Sequence, residues 1–393
     1  MFTLDEAHRA LQSSVRRFAQ RELRWRARKL DAAPAGSVDW ELLRKSCALG
    51  LLSGQLPPPY GGTLDRLAAA VALEELARWE AGFATLLAAN SLAQTAIALA
   101  GNAALGERIF GEIAAAEARQ EPLLCALALT ERRAGSDLLH PDGLQPTRLM
   151  VVARRRNDAY VLSGRKAYCA GGNVAKWLVA FATVHPQRHS AGLTGFAVAT
   201  EQPGFRVTEV LPTLGLRACP LVEFYFEGAV VPAEQRLTPE GQGYALVQRL
   251  GAYDRCQGAA IAVGIADGAF ALARQHTLAR VQGGGPLVQH QLVRHLLADM
   301  AIHIEAARLL TYKAAASEPP EATLSAMAKV LASDVAVKVT TDAVQLMGAY
   351  GTTAKAGVEK YFRDAKMTQI LSGTNEICRL AVTRPLLPLA AEA

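Results

Sequence analysis

Two short stretches hold the residues best suited to chemistry. LGAYDRCQGAA (250–260) sets a carboxylate, Asp254, directly before Arg255 in an otherwise apolar helical run. Burial in apolar surroundings raises a carboxylate pKa towards neutrality, where the group can serve as a general base. Alternatively, Asp254 only pairs with Arg255 or a helix neighbour. QILSGTNEICR (369–379) places Ser372 before a Gly-Thr turn, with Thr374 and Asn375 suited to capping a helix. No histidine is near Ser372 in sequence, and an unaided hydroxyl is far too weak a base for a carbon acid. Other chemistries lack their residues: there is no G-x-G-x-x-G after a strand, no Walker A and no H-E-x-x-H. Six scattered cysteines show neither C-x-x-C nor Cys/His metal spacing, so no metal site is expected, and reduced thiols in a cytoplasmic protein are.

The elements that must position these residues follow from composition and periodicity. At 393 residues the chain exceeds one hydrophobic core, and 51% hydrophobic with 20% charged residues excludes wholesale disorder. Helical spacing is predicted over 4–32, then at about 39–50, 64–79, 82–100 and 104–117. From about 121 to 235 the text reads as strands: LLCALAL, RLMVVARRR, AYVLSGRKAY, KWLVAFATV, GLTGFAVAT, FRVTEVL and VEFYFEGAVV. Long helical patterns resume at about 243–280, 287–316, 321–349 and 355–368, with a last helix from about 374. The order predicts an α+β chain with an N-terminal helical domain (1–120), a middle antiparallel β domain (121–237) and a C-terminal helical bundle (238–393). The alanine-rich stretches read as cut by charges, so no membrane span is expected. A net charge of +6 suits an anionic partner or a solvated surface. A nucleic-acid role rests on that charge alone, and no concentrated basic tail supports it.

Seven motifs occur in one order: LPPPYGG with LEELAR (73–78), ALTERRAGSD (128–137), GRKAYCAGG (164–172), LGLRACP…FEGAVVP (214–232), GPLVQHQLV (285–293), AVQLMGAYG (343–351) and EKYFRDAK…ILSGTNEICR (359–379). Together they resemble the acyl-CoA dehydrogenase family over essentially the whole chain. The resemblance implies bound FAD, a four-helix-bundle C-terminal domain and a homo-oligomer, a dimer or a dimer of dimers, with the flavin across a subunit interface. It implies α,β-dehydrogenation of an acyl thioester on CoA or an acyl-carrier protein. Electron-transfer flavoprotein or oxygen would be the acceptor.

By resemblance, Leu127, Leu129 and Thr130 lie against the isoalloxazine, Tyr168 packs on it, and Gly135-Ser136 runs along the acyl-CoA. Ala170 stands where the family has a Ser or Thr bonded to the flavin, which leaves only a backbone N–H for that contact. Arg280 and Gln291 are implied on the neighbouring subunit's FAD, although Gly283 replaces an expected aromatic. Gln345, Gly348 and Gly351 match a loop around the FAD diphosphate, with Ala349 in place of a second glycine. Thr374 and Glu376 match contacts to flavin adenosine and phosphate. Arg255 and Gly373 are implied substrate contacts.

Ser372 occupies the position where the family usually has its glutamate base. In a minority of relatives the carboxylate comes instead from the helix after the β domain, directly before an arginine, which here is Asp254. The backbone N–H of Ser372 keeps the implied role of donor to the thioester carbonyl. Three alternatives stay open: Glu376 as base, a related oxidase acting on a small carbon acid such as a nitroalkane, or a catalytically altered flavoprotein with a binding role.

Overall fold

The computed structural model of the chain describes residues 3–143 and 146–387. Five helices come first: α1 Glu6–Asp31, α2 Trp40–Cys47, α3 Arg66–Ala77, α4 Ala81–Ala100 and α5 Ala103–Ala118. Each opens on a side chain that accepts the N–H three residues on, from Asp5, Asp39, Asp65, Glu80 and Asn102 in turn. That bond satisfies a donor the helix itself leaves free.

Seven strands follow: β1 Cys125–Ala128, β2 Val152–Arg156, β3 Ala159–Ala170, β4 Trp177–Thr183, β5 Leu193–Ala199, β6 Phe205–Leu211 and β7 Leu221–Pro232. They form one sheet in the order β1-β4-β2-β3-β7-β6, with β5 also paired to β4. The sheet is mixed rather than purely antiparallel, because β4 runs parallel to β1 and, at Val152–Thr183, to β2. The long connection after β1 carries the chain back to start β2 in β4's direction, which no two-residue hairpin could do. Along β4 alternate residues part. Trp177, Val179 and Phe181 pack with α4, α5 and the following helix, while Leu178, Ala180 and Ala182 enter the core between strands.

The rest of the chain is helical apart from a small hairpin: α6 Gly243–Ala279, β8 Val281–Gln282, β9 Gly285–Pro286, α7 Gln291–Ala315, α8 Ala322–Gly351, α9 Val358–Thr368 and α10 Asn375–Thr383. Helix α6 is the axis of the molecule, packed on α3, α4, α7, α8 and α9. Two helices, Ala81–Ala100 and Gly243–Ala279, are long and apolar enough to cross a bilayer by length and composition. The first carries no charged residue at all, contrary to the expectation of interrupted runs. Both are largely buried inside the fold, where α4 also keeps Asn90, Ser91, Gln94 and Thr95. The six cysteines are free and buried.

Candidate active site

A cavity of about 510 Å³ lies where α4, α6, the ends of β1 and β3 and the turn before α10 meet. Helix α6 presents Asp254, Gln257, Gly258 and Ile261 to it, a spacing of three and four residues that defines one helix face. Opposite them the 369–374 turn brings Ile370, Leu371, Ser372, Gly373 and Thr374. Ser372 and Gly373 take left-handed backbone with φ of 59° and 82°. For a serine that conformation persists only where the surroundings impose it.

The constraint comes from below. Lys329 of α8 is wholly buried and donates to the Gly373 carbonyl at 2.6 Å, Asn375 Oδ1 at 2.7 Å and the Gln369 carbonyl at 3.2 Å. Asn375 and Gln369 in turn both donate to Asp334 Oδ1. Loss of solvent pushes Lys329 down to about 8, against the opposing influence of Cys378 and Asp254. So held, the turn delivers the Ser372 hydroxyl to Asp254, where it donates to Oδ1 at 2.7 Å. Burial raises the Asp254 carboxyl above its ordinary value, and the Ser372 bond, Arg255 and Lys329 each pull it back.

Gly258 makes this meeting possible. A Cβ there would sit 2.9 Å from Ser372 Oγ and 3.2 Å from Leu371 Cδ1. We expect Gly258→Ala to displace the hydroxyl from Asp254 and so to copy Ser372→Ala. Each change removes a bond that favours the charged carboxylate, so each is expected to raise the pH at which Asp254 ionises, read by infrared titration of its carboxylate. An unmoved midpoint in both variants would show that the bond does not tune Asp254.

The opposite wall is the strand ends: Leu127, Thr130, Gly135, Ser136, Tyr168 and Ala170 all line the cavity. Between Lys166 and Cys169 strand β3 has one residue more than β7 opposite it. This bulge sets Tyr168 at φ 58° and leaves the side chain 52% exposed. Behind the wall the buried pair Lys166–Glu131 closes at 2.9 Å, and Lys166 also donates to the Leu129 carbonyl at 2.7 Å. Glu131 further accepts from the Met150 and Val151 N–H groups. An exposed aromatic on an apolar wall with small residues beside it fits a flat tricyclic ring; Ala170 brings no side-chain hydrogen bond to it.

Other expected site residues lie elsewhere. Leu129 backs the strand wall without lining the cavity, and Arg255 is buried beside it with Nε unpartnered. Glu376 is exposed on α10, its carboxyl lowered mainly by its own backbone N–H and by Thr374, and it does not line the cavity. Arg280 caps α6 on the surface and donates to Gln282, and Gln291 begins α7 in solvent. Gln345 and Gly348 are exposed on α8, where Gly348, at φ 59° and ψ −146°, breaks the helix just before the buried Gly351. Only glycine adopts that backbone readily. Lys329, Gln257 and the Glu131–Lys166 pair were not anticipated; a lysine inside the apolar run SAMAKVLAS was the one available signal for the first.

Domain models of the acyl-CoA dehydrogenases match the chain throughout, the N-terminal domain over residues 5–117, the middle domain over 126–229 and the C-terminal domain over 241–387. The chain belongs to the acyl-CoA dehydrogenase family. Among this family's curated members, cyclohex-1-ene-1-carbonyl-CoA dehydrogenase of Geobacter metallireducens is 40% identical over 390 residues, covering 98% of this chain and 99% of that protein. The solved butyryl-CoA dehydrogenase from Megasphaera elsdenii superposes with a TM-score of 0.89 at 32% identity, over 98% and 99% of the two chains. PigA with FAD and proline gives 0.88 at 26% identity, again over 98% and 99%. The acyl-CoA dehydrogenase fold of three domains is therefore this chain's fold.

Proposed function

We propose that the protein oxidises the Cα–Cβ bond of an acyl thioester, with Asp254 removing the α-proton. As a family member it is a flavin oxidoreductase acting on CH–CH groups, and its cofactor is FAD. When bound, FAD supplies the hydride acceptor, taking the β-hydrogen with its electron pair. The remaining work belongs to the chain. The observation that supports the reading is the 2.7 Å contact between Ser372 and Asp254, which joins the residue that the resemblance sets in the place of the family's base to a buried carboxylate lining the same cavity.

Asp254 then ends the reaction protonated, in an environment that already favours its neutral form. The turn's own backbone bonds run from Leu371 N–H to the Met367 carbonyl and from Asn375 N–H to the Gln369 carbonyl. Neither uses the Ser372 N–H, which is free to donate to the thioester carbonyl as negative charge builds there. Leu92, Ile261, Ala88 and Ala89 keep water from the acyl chain. Rapid mixing with an α-dideuterated acyl-CoA tests the proton step. A primary isotope effect on flavin reduction is expected, and an effect seen only when the β-carbon is labelled instead would contradict α-proton removal in the limiting step.

Arg280, Gln291, Gln345 and Gly348, which the resemblance assigns to FAD, lie outside the cavity on the surface, which supports a site completed by a second copy of the chain. Beside Arg280 and Gln291 stand Leu278, Val281 and Leu292, exposed by 57%, 60% and 81%, an apolar group of the sort that marks an interface. Leu292→Glu is expected to shift sedimentation to the monomer and to release FAD together. A monomer that retains its flavin would contradict the shared site.

A further inference from the structure

Lys329 stands on α8, wholly buried and outside the cavity, yet its terminal nitrogen grips the turn on both sides of Ser372. Its three bonds go to the Gln369 carbonyl before Ser372 and to the Gly373 carbonyl and Asn375 Oδ1 after it. All three partners can only accept. Two are backbone carbonyls, which have no second orientation. The third is fixed by its other end, because Asn375 Nδ2 donates to Asp334 Oδ1 at 2.8 Å and Arg379 holds the same carboxylate at 2.6 Å. Turning that amide over would set its oxygen against a carboxylate oxygen.

A charged lysine has three hydrogens, one for each acceptor. A neutral one has two and a lone pair, so one acceptor would lose its donor and face the lone pair instead. In a buried site water does not make up that loss. The turn is also strained, with Ser372 and Gly373 both in left-handed backbone, so a broken bond lets it relax. Between the gripped residues lie the Ser372 hydroxyl, which meets Asp254, and the Ser372 N–H, which the proposed reaction uses at the thioester carbonyl.

We propose that Lys329 is a positioning residue that works only as the ammonium ion, so that losing its proton loosens the 369–375 turn and switches the enzyme off from the alkaline side. This rests on the dehydrogenation reading. Burial brings the lysine down to about 8, within reach of ordinary assays; Cys378 of α10, Asp254 of α6 and Asp334 of α8 favour its charged form, and Arg255 of α6 opposes it. Glu376 on α10 and Lys366 on α9 are exposed, and α7, also packed on α8, directs Arg308 to Glu74 of α3.

The test is single-turnover bleaching of the FAD-loaded enzyme by one acyl-CoA, followed by stopped flow from about pH 6 to about pH 10, too briefly for alkaline hydrolysis of the thioester. The wild-type rate is expected to fall above about pH 8. A fall on the order of tenfold or more is expected, since a misplacement of about 1 Å can cost about 10²-fold. Its midpoint is expected to drop on warming, as an ammonium's does and a carboxyl's does not. In Lys329→Arg, whose guanidinium stays charged throughout, the alkaline fall is expected to vanish, whatever the rate at neutral pH. A wild-type rate level to the top of the range would overturn the inference, as would a fall indifferent to temperature, and both readings stand even if the variant fails to fold. So would an alkaline fall unchanged in a folded, yellow Lys329→Arg enzyme. If no thioester bleaches the flavin at any pH, the dehydrogenation reading fails and this inference with it, an outcome told apart from bleaching that ignores pH.

Discussion

Asp254→Asn slows reductive bleaching of the flavin by an acyl thioester by on the order of 10²–10⁴-fold, the usual cost of removing a general base. Asparagine keeps the size of the side chain and still accepts from Ser372, so the turn and the cavity keep their shape. With Asp254 as the proposed base, the wild-type rate is expected to climb with pH as it loses its proton, and burial places that climb above the ordinary aspartate value of 3.8. The variant loses this limb. Stability moves differently. Because the folded carboxyl holds its proton more tightly than the unfolded one, its contribution is full below the unfolded pKa and is lost as pH rises through the folded pKa. The Asp254→Asn protein is therefore expected to melt no lower than wild type at neutral pH, which separates a missing base from a damaged fold. Stopped-flow absorbance and a thermal melt read the two effects.

Lys360→Met is the change with the largest expected cost to the fold. Lys360 is buried, with Nζ 2.6 Å from Asp364 Oδ2 and 2.8 Å from Glu80 Oε1. Burial alone would lower its pKa, but the Asp364 and Glu80 carboxylates outweigh that and hold it well above the usual lysine range. Each carboxylate has a structural duty: Glu80 caps α4, and Asp364 accepts the Leu216 N–H at 2.6 Å. Both α4 and Leu216 are walls of the cavity. Without the lysine two carboxylates share a buried site unpaired, a loss of about 3–5 kcal/mol. Chemical denaturation should show that loss, with weaker FAD retention as the walls loosen. A loss under about 1 kcal/mol would mean that the carboxylates take up protons or water there at little cost.

Much of the fold was legible because its signals are local. Of the seven sheet strands, β1, β2, β4, β5 and β6 lie within the segments that alternation and turn residues mark out, while β3 runs two residues beyond its segment and β7 one residue beyond at each end. The mixed pairing of β4 was not legible, since strand direction depends on where a long connection returns the chain. The uncharged run of α4 shows a further limit: a core helix and a membrane span share a composition, and burial alone separates them here. At the site, the family motifs pointed to both Asp254 and Ser372, but nothing in their spacing of 118 residues says that they touch. That contact depends on Gly258 lacking a side chain and on Lys329 clamping the turn.

The central claim is that this flavin enzyme desaturates acyl thioesters. Its most direct measurement is a single anaerobic turnover of the purified yellow protein with saturated acyl-CoA, acyl-carrier thioesters and a nitroalkane in parallel, followed by mass analysis of the products. The account predicts stoichiometric bleaching by at least one thioester and recovery of its α,β-unsaturated product, two hydrogens lighter. Bleaching by the nitroalkane alone, with every thioester recovered unchanged, would contradict it.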